Sequence, residues 1–369
     1  MVNNLLFMNT GTGWAGLEKW HYKAATHLQD RGYNIFVIAR HDTQFKRECE
    51  KAGFEVAATS RIETTTFINP KRLLWLVKYL KNNNINAIFA GQSSHYKYGS
   101  LAGKLAGVEK IVYRRAIAKA INNRFYNRWL LKNCVTDFMS ISKNTMKSNL
   151  SQLPDDVVED EKIKLIYNGV DPEIYIDSSI ETNIREEFDI SSDEMVVANI
   201  GRLSRQKAQQ YLIEALPKIL DFHEDIKILF VGKGGKREKY KEKSKELGIE
   251  DKVIFTGYRE DVPSILKQID FLVHTAVYEG CPWIILEAMM TGVPIVSTRA
   301  MTVQEFVKDG ETGYIAEDRN PEDIAEKVIK MIKNENRERM GEKAAEIAEE
   351  KYTTQKMIDD IENKILLNR

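Results

Sequence analysis

The chain has 369 residues, 43% of them hydrophobic and 29% charged, with 54 Lys/Arg against 54 Asp/Glu. This length suggests two domains, and the composition is that of an ordinary globular protein. It excludes a membrane helix, because no uninterrupted apolar run approaches the ~18–20 residues that one needs.

In chain order, short apolar runs at 5–8, 34–39, 54–57, 87–90, 110–113, 137–141 and 164–167 predict strands. Helical periodicity fills the gaps near 16–31, 43–52, 70–82, 97–106, 121–133 and 143–152. An acidic surface loop at 154–162 and the turn Asn168-Gly169-Val170-Asp171-Pro172 follow. The alternation then restarts, with strands at 195–200, 226–231, 252–256, 271–274, 294–297 and 314–316. Helices are predicted at 206–221, 236–247, 261–269, 283–291, 302–308, 321–333, 336–350 and 352–367. The expected fold is α/β: two Rossmann-like, doubly wound parallel-sheet domains facing a central cleft. The expected domains are 1–172, with 352–369 added as a C-terminal helix, and 173–351.

Three motifs in the second half carry the chemistry of a bound diphosphate. Gly201-Arg202-Leu203-Ser204-Arg205-Gln206-Lys207 joins a strand to a helix, where glycine admits a ligand to the backbone and Arg202 and Lys207 present cations. Its bland reading is a surface turn with two bases. Gly232-Lys233-Gly234-Gly235 also ends a strand, but it is neither a dinucleotide fingerprint nor a P-loop. In Glu279-Gly280-Cys281-Pro282-Trp283-Ile284-Ile285-Leu286-Glu287, proline opens a helix whose first amides, at Trp283 and Ile284, can point at phosphate oxygens. Glu279 and Glu287 then suit vicinal hydroxyl pairs, or Glu287 makes a buried ion pair.

In the first half, Gly11, Gly13 and Gly16 form a Gly-x-Gly-x-x-Gly turn after the first strand. A dinucleotide site needs an acid about 20 residues on; Asp42 arrives late after Arg40-His41, so a glycine turn facing the donor phosphate is the better reading. His95, past the fourth strand beside Gln92 and Ser93, is either structural or oriented toward a sugar hydroxyl.

The charge is uneven. Residues 1–170 hold 25 Lys/Arg against 14 Asp/Glu, and 171–369 hold 29 against 40. The basic excess is densest at 97–147, through Lys97, Lys104, Lys110, Arg114, Arg115, Lys119, Arg124, Arg128, Lys132, Lys143 and Lys147 against Glu109 and Asp137. That run is either a solvated surface or a surface attracted to an anionic membrane or acceptor. Cys49, Cys134 and Cys281 are odd in number and far apart, and fit neither a disulfide framework nor a zinc site. With no basic start or cleavage site after Met1, the expected location is cytoplasmic, or peripheral on the inner membrane face.

Together these motifs resemble the retaining glycosyltransferases of family four, which have the GT-B fold. Glu279-x7-Glu287 with Gly280, Pro282, Ala288 and Met289 resembles that family's signature. Gly201-Arg202-Leu203 with Lys207 resembles its phosphate turn. Asn168-Gly169-Val170-Asp171, Phe255-Thr256-Gly257-Tyr258 and Gly310-Glu311-Thr312-Gly313-Tyr314 occur in its order, and Gly11, Gly13, Gly16 and Glu18 resemble its N-terminal loop. The chain departs from the pattern at the bulky Trp14, and at Arg114-Arg115 where relatives often carry a second histidine.

The resemblance implies that Arg202 and Lys207 neutralise the diphosphate, that Glu287 holds ribose and that Glu279 holds the donor sugar. The backbone at Tyr258 and Arg259 would touch the base, and His95 would lie near the reacting carbon. It implies a nucleotide-sugar donor, UDP-linked by default, and a saccharide or lipid-linked acceptor in lipopolysaccharide or cell-surface polysaccharide synthesis, with no nucleic acid. No Asp-x-Asp follows a predicted cleft-facing strand, so fixed cations are expected in place of a metal, with no cofactor. A GT-B nucleotide-sugar epimerase and a non-catalytic nucleotide-sugar-binding scaffold remain as alternatives; a Rossmann dehydrogenase lacks its ribose acid.

Overall fold

A computed structural model describes residues 2–177, 179–300 and 302–367. The chain divides into two compact units, one running to Tyr167 and resuming at Lys356, the other Asn168–Gln355. Positions 368 and 369 of the expected C-terminal segment lie outside the described residues.

In the first unit, seven strands are described: β1 Asn4–Asn9, β2 Asn34–Arg40, β3 Glu55–Thr59, β4 Ala87–Ala90, β5 Lys110–Arg115, β6 Asp137–Ser140 and β7 Ile163–Leu165. They form a parallel sheet in the order β3-β2-β1-β4-β5-β6-β7. The second unit's described strands are β8 Met195–Ile200, β9 Ile226–Val231, β10 Val253–Gly257, β11 Phe271–His274, β12 Ile295–Thr298 and β13 Gly313–Ala316. Their order is β10-β9-β8-β11-β12-β13, again parallel. Helices cover both faces of such sheets, so the central strands are apolar throughout rather than alternating. Leu5, Leu6, Phe7 and Met8 are fully buried in β1, as are Val196, Val197 and Ala198 in β8.

The two orders share one feature that positions function. In each sheet the chain leaves the first strand toward one edge and returns to its other side, at β1/β4 and at β8/β11. The carboxyl ends of the strands at such a switch point open a crevice, and α/β proteins bind ligands there.

Several predicted helices are shorter than expected. The helix predicted from 206 begins only at Gln210. Ala208 adopts a left-handed φ of 53°, and its N–H donates to the Ser204 carbonyl at 2.9 Å, so 204–209 is a tight turn. Lys207 therefore sits on a turn and not on a helix. The segment expected as helix 302–308 contains only a 3₁₀ turn at Val303–Glu305. The helix Ile184–Glu187, capped by Asn183, and the π turn Glu173–Asp177 were unpredicted.

The junction turn has a packing cause. Val170 N–H donates to the Tyr352 carbonyl and Thr354 N–H to the Val170 carbonyl, both at 2.9 Å. A Cβ on Gly169 would stand 2.3 Å from the Thr353 carbonyl oxygen, so only glycine permits this bridge. Beyond it the helix Thr354–Ile361 runs into the first unit. There Arg31 pairs with Asp359 and Glu362, each at 2.5 Å, and Tyr33 donates to Glu362 at 2.8 Å.

The basic stretch 97–147 is not one surface, which corrects the reading from charge density. Lys97 and Arg114 are buried, with Lys97 over the Tyr126 ring and Arg114 3.9 Å from the centre of Trp20. Arg115 donates to Asn149, Tyr113 and the Lys119 carbonyl, and Lys132 pairs with Asp156. Among the described residues, no helix is long and apolar enough to cross a membrane.

Candidate active site

The loops that leave β8 and β9 lock together at the carboxyl edge of the second sheet. Gly201 N–H donates to the Val231 carbonyl at 2.8 Å, Leu203 N–H to the Lys233 carbonyl at 3.0 Å and Gly232 N–H to the Gly257 carbonyl at 2.7 Å. Gly201 and Gly232 have φ of 153° and 141°, which side-chain-bearing residues rarely adopt. A Cβ on Gly232 would lie 2.2 Å from the Gly201 carbonyl oxygen. Gly232 is thus required by backbone meeting backbone, and Gly201 by its φ, causes that the glycine-rich motif alone does not reveal.

Two buried polar side chains brace the turn that carries Lys207. Gln209 donates to the Arg202 carbonyl at 3.3 Å, and Asn199 donates to the Val273 carbonyl at 2.8 Å and to Thr275 Oγ1 at 3.1 Å. Thr275 Oγ1 in turn donates to the Lys207 carbonyl at 2.9 Å. From the loop after β11, Val277 N–H donates to the Gln206 carbonyl and Gln206 Nε2 to the Tyr278 carbonyl. The two loops flanking the β8/β11 switch point are therefore one bonded unit.

That unit brings Lys207 Nζ to 2.6 Å from Glu279 Oε1. The expectation set these residues on different parts of a donor, phosphate and sugar; the structure places them in contact. Their side chains keep 21% and 12% of their exposure, so each charge is held largely by the other rather than by water. His274, at the end of β11, lies under the pair with Nε2 3.9 Å from Glu279 Oε1, too far for a hydrogen bond. Burial, and then the charge of Lys207, hold the imidazole well below its ordinary pKa, so it is neutral. Ser297 Oγ lies 3.2 Å from its Nδ1. His274 was missed in the sequence, where only its place at a strand's carboxyl end marked it.

Arg202 is exposed one residue past Gly201. The helix Trp283–Met290 starts after Pro282, and its first internal bonds are donated by Ile285 and Leu286 to the Pro282 carbonyl. Ile284 is buried, and Trp283 half-buried. Glu287, one side of this helix, accepts a hydrogen bond from Tyr175, whose hydroxyl burial and the carboxylate together push far above its ordinary pKa. Tyr175 was also missed, because it lies in the π turn of the junction. Tyr258 is exposed, with Lys233 5.7 Å from its ring centre. Arg259 is committed to Asp261, at 2.7 Å, and to Glu187, so it leaves only its backbone for a ligand.

In the first unit the glycine turn is organised by side chains beneath it. Asn9 Oδ1 accepts from Gly11 N–H at 2.9 Å, and Glu18 accepts from Asn9 and from Ala15 N–H. A Cβ on Gly11 would meet Glu18 Oε1 at 2.5 Å. Gly13 and Gly16 are exposed at the turn's tip, and Trp14 packs edge-on against Tyr22.

His95, expected to be either structural or oriented toward a sugar hydroxyl, is fully buried in the first unit. Its Nε2 accepts from Thr10 N–H at 3.0 Å and lies 2.8 Å from Thr10 Oγ1, which itself accepts from Ile62 N–H at 3.1 Å. Burial lowers its pKa to about 4, which keeps the ring an acceptor at neutral pH. Through Thr10, His95 ties the end of β1 to the segment after β3.

The same arrangement in each unit defines the fold class. Each unit is a Rossmann-like parallel-sheet domain with polar, loop-borne groups at its switch point, which is the GT-B fold. The solved structure of Anabaena Alr3699/HepE in complex with UDP is similar, with a TM-score of 0.84 and 21% identity over 98% of both chains. At that identity the likeness is one of fold.

Residues 180–347 match the family model described as Glycosyl transferases group 1. N-acetyl-alpha-D-glucosaminyl L-malate synthase of Bacillus anthracis is 31% identical over 54% of this chain and 52% of its own length. UDP-Gal:alpha-D-GlcNAc-diphosphoundecaprenol alpha-1,3-galactosyltransferase of Escherichia coli is 26% identical over 67% of this chain and 66% of its own. The chain thus spans about half to two thirds of the length of these curated relatives.

Proposed function

We propose that this protein is a retaining glycosyltransferase that moves a sugar from a UDP-linked donor to a saccharide or lipid-linked acceptor in lipopolysaccharide or cell-surface polysaccharide synthesis. The observation that carries the reading is the Lys207–Glu279 pair, 2.6 Å apart at the β8/β11 switch point. A cation with one carboxylate beside it suits a diphosphate next to a hydroxyl-bearing sugar. UDP in a structure of the same fold and UDP-Gal in a relative's name support the donor class.

In this reading Lys207 and Arg202 stabilise the charge that grows on the leaving diphosphate, and no metal is required. The backbone from Gly201 to Leu203 and the amides of Trp283 and Ile284 line the phosphates, Glu287 holds ribose and the backbone of Tyr258 and Arg259 meets the base. Glu279 holds the donor sugar. The acceptor oxygen attacks the anomeric carbon from the face that the phosphate leaves, the bond from that carbon to the phosphate oxygen breaks, and its electron pair departs with the diphosphate. The acceptor's hydroxyl proton passes to a leaving phosphate oxygen, and configuration is retained.

The test is a thermal-shift panel of UDP, GDP, ADP and their sugars, followed by assay of nucleotide release. UDP and one UDP-sugar are expected to raise the midpoint, since a ligand of the native state stabilises it. No shift with any nucleotide sinks the donor assignment. A shift without nucleotide release, even with acceptors added, favours the scaffold.

A membrane-borne acceptor is supported by the helix Phe125–Asn133, on which Phe125 and Trp129 lie one turn apart, 76% and 51% exposed, beside exposed Arg124 and Arg128. Exposed aromatics flanked by arginine suit an anionic bilayer surface. The protein is expected to float with vesicles containing phosphatidylglycerol, and Phe125→Ser/Trp129→Ser to remain unbound. Equal failure to float with anionic and zwitterionic vesicles rejects this part.

A further inference from the structure

A polar cavity of about 270 Å³ opens at the β1/β4 switch point of the first unit. It is bounded by the turn after β1, by Arg40 at the end of β2, by residues 61–64 and by Gln92 and Ser94. Ile62 supplies its only aliphatic side chain. Its wall is fixed: the Arg72 guanidinium donates to Thr59 Oγ1, the Ser60 carbonyl and the Arg61 carbonyl at 3.2–3.4 Å. Thr10 Oγ1 holds the same wall through Ile62 N–H, with His95 behind it.

The charges in this cavity do not cancel. Arg61 lies 3.3 Å from Glu63, and both are largely exposed, so that pair is weak. Arg40 is half-buried, and its guanidinium makes no hydrogen bond or ion pair among the described residues. A partly desolvated guanidinium with five unused donors matches a carboxylate or a phosphate, which accept two parallel bonds. The threonines, serine and glutamine around it suit a hydroxyl-bearing molecule, and the volume limits it to about the size of one sugar ring.

We infer that this cavity binds an anionic group of the acceptor, a carboxylate or a phosphate monoester on a small hydroxylated unit, held by Arg40 with help from Arg61. The inference rests on the transferase reading above, since only that reading makes the bound molecule an acceptor. It places selectivity for acidic over neutral acceptors in the first unit.

The experiment is calorimetric titration of the full chain, first with UDP and then, under saturating UDP, with inorganic phosphate, succinate and glucose. At least one anion is expected to bind more tightly than glucose, and the stronger of the two identifies the source of charge. Arg40→Gln should weaken that anion about tenfold or more, the worth of a charge-assisted bond. Arg61→Gln should weaken it less, because Glu63 already shares its charge. UDP affinity and the thermal midpoint of Arg40→Gln should stay unchanged; if that variant does not fold, Arg40→Lys keeps the charge, loses the fork and should weaken the anion severalfold. UDP binding with no anion binding, with glucose binding as tightly as the anions, or with an anion indifferent to Arg40→Gln overturns the inference and leaves the donor reading standing. No UDP binding overturns the donor reading, while the anion titrations still decide the cavity.

Discussion

Lys207→Ala is expected to lower turnover by ~10²-fold or more, the usual loss when a preorganised charge stabiliser is removed. Two effects act in the same direction. In the proposed reaction the leaving diphosphate loses a fixed cation, and Glu279, 12% exposed, loses the partner 2.6 Å away that offsets its charge. An unpaired carboxylate at the same place then repels the incoming phosphates. The loss should appear mainly in kcat, because the charge that Lys207 meets is greatest as the sugar–phosphate bond breaks. The measurement is UDP release from the donor that the binding panel selects, with the thermal midpoint of the variant as a folding control. Arg202→Ala should act in the same sense. Near-normal turnover of the folded double variant rejects the phosphate assignment.

Gly232→Ala is expected to destabilise the second unit by about 3 kcal/mol or more and to weaken UDP binding, whereas Gly235→Ala should stay within about 0.5 kcal/mol of the parent. The two glycines lie in one short motif, so the contrast isolates geometry from composition. Gly232 has φ 141°, and its added Cβ would stand 2.2 Å from the Gly201 carbonyl oxygen and 3.6 Å from Arg202 N. Relief requires the β8 loop to move, and that loop carries the groups assigned to the phosphates. A Cβ on Gly235 meets nothing within 4 Å. Denaturant unfolding with parallel UDP titration checks both, and an unaltered Gly232→Ala would falsify the interlocked-loop account.

The loops proposed for the phosphates were legible where their placement depends on local order. Strand, glycine turn and helix follow one another at 195–222 in the sequence, and the structure sets Gly201 and Lys207 at the sheet's carboxyl edge accordingly. The start of the helix at Trp283 follows as directly from Pro282. What was illegible depends on residues far apart in the chain. Lys207 and Glu279 follow different strands, and the β8–β11 pairing and the bonds between their loops join them. Tyr175 and Glu287 meet through the junction turn, and His274 gains its neighbours by burial under a loop.

By itself the sequence determined all the strands and most of the helices, because helix and strand periods and glycine or proline breaks are local consequences of backbone sterics and of which face turns from water. It also determined that both halves are parallel α/β sheets, since apolar runs alternating with helices have few other ways to bury both faces. The tertiary structure alone decided which polar residues reach solvent or a ligand. His95, Lys97 and Arg114 read as surface or site chemistry, yet folding encloses them, while Arg40 emerges half-buried at a strand end facing a polar cavity. Burial is set by contacts between distant segments, so the chain's order of residues names the charged groups but not which of them keep an unmet charge.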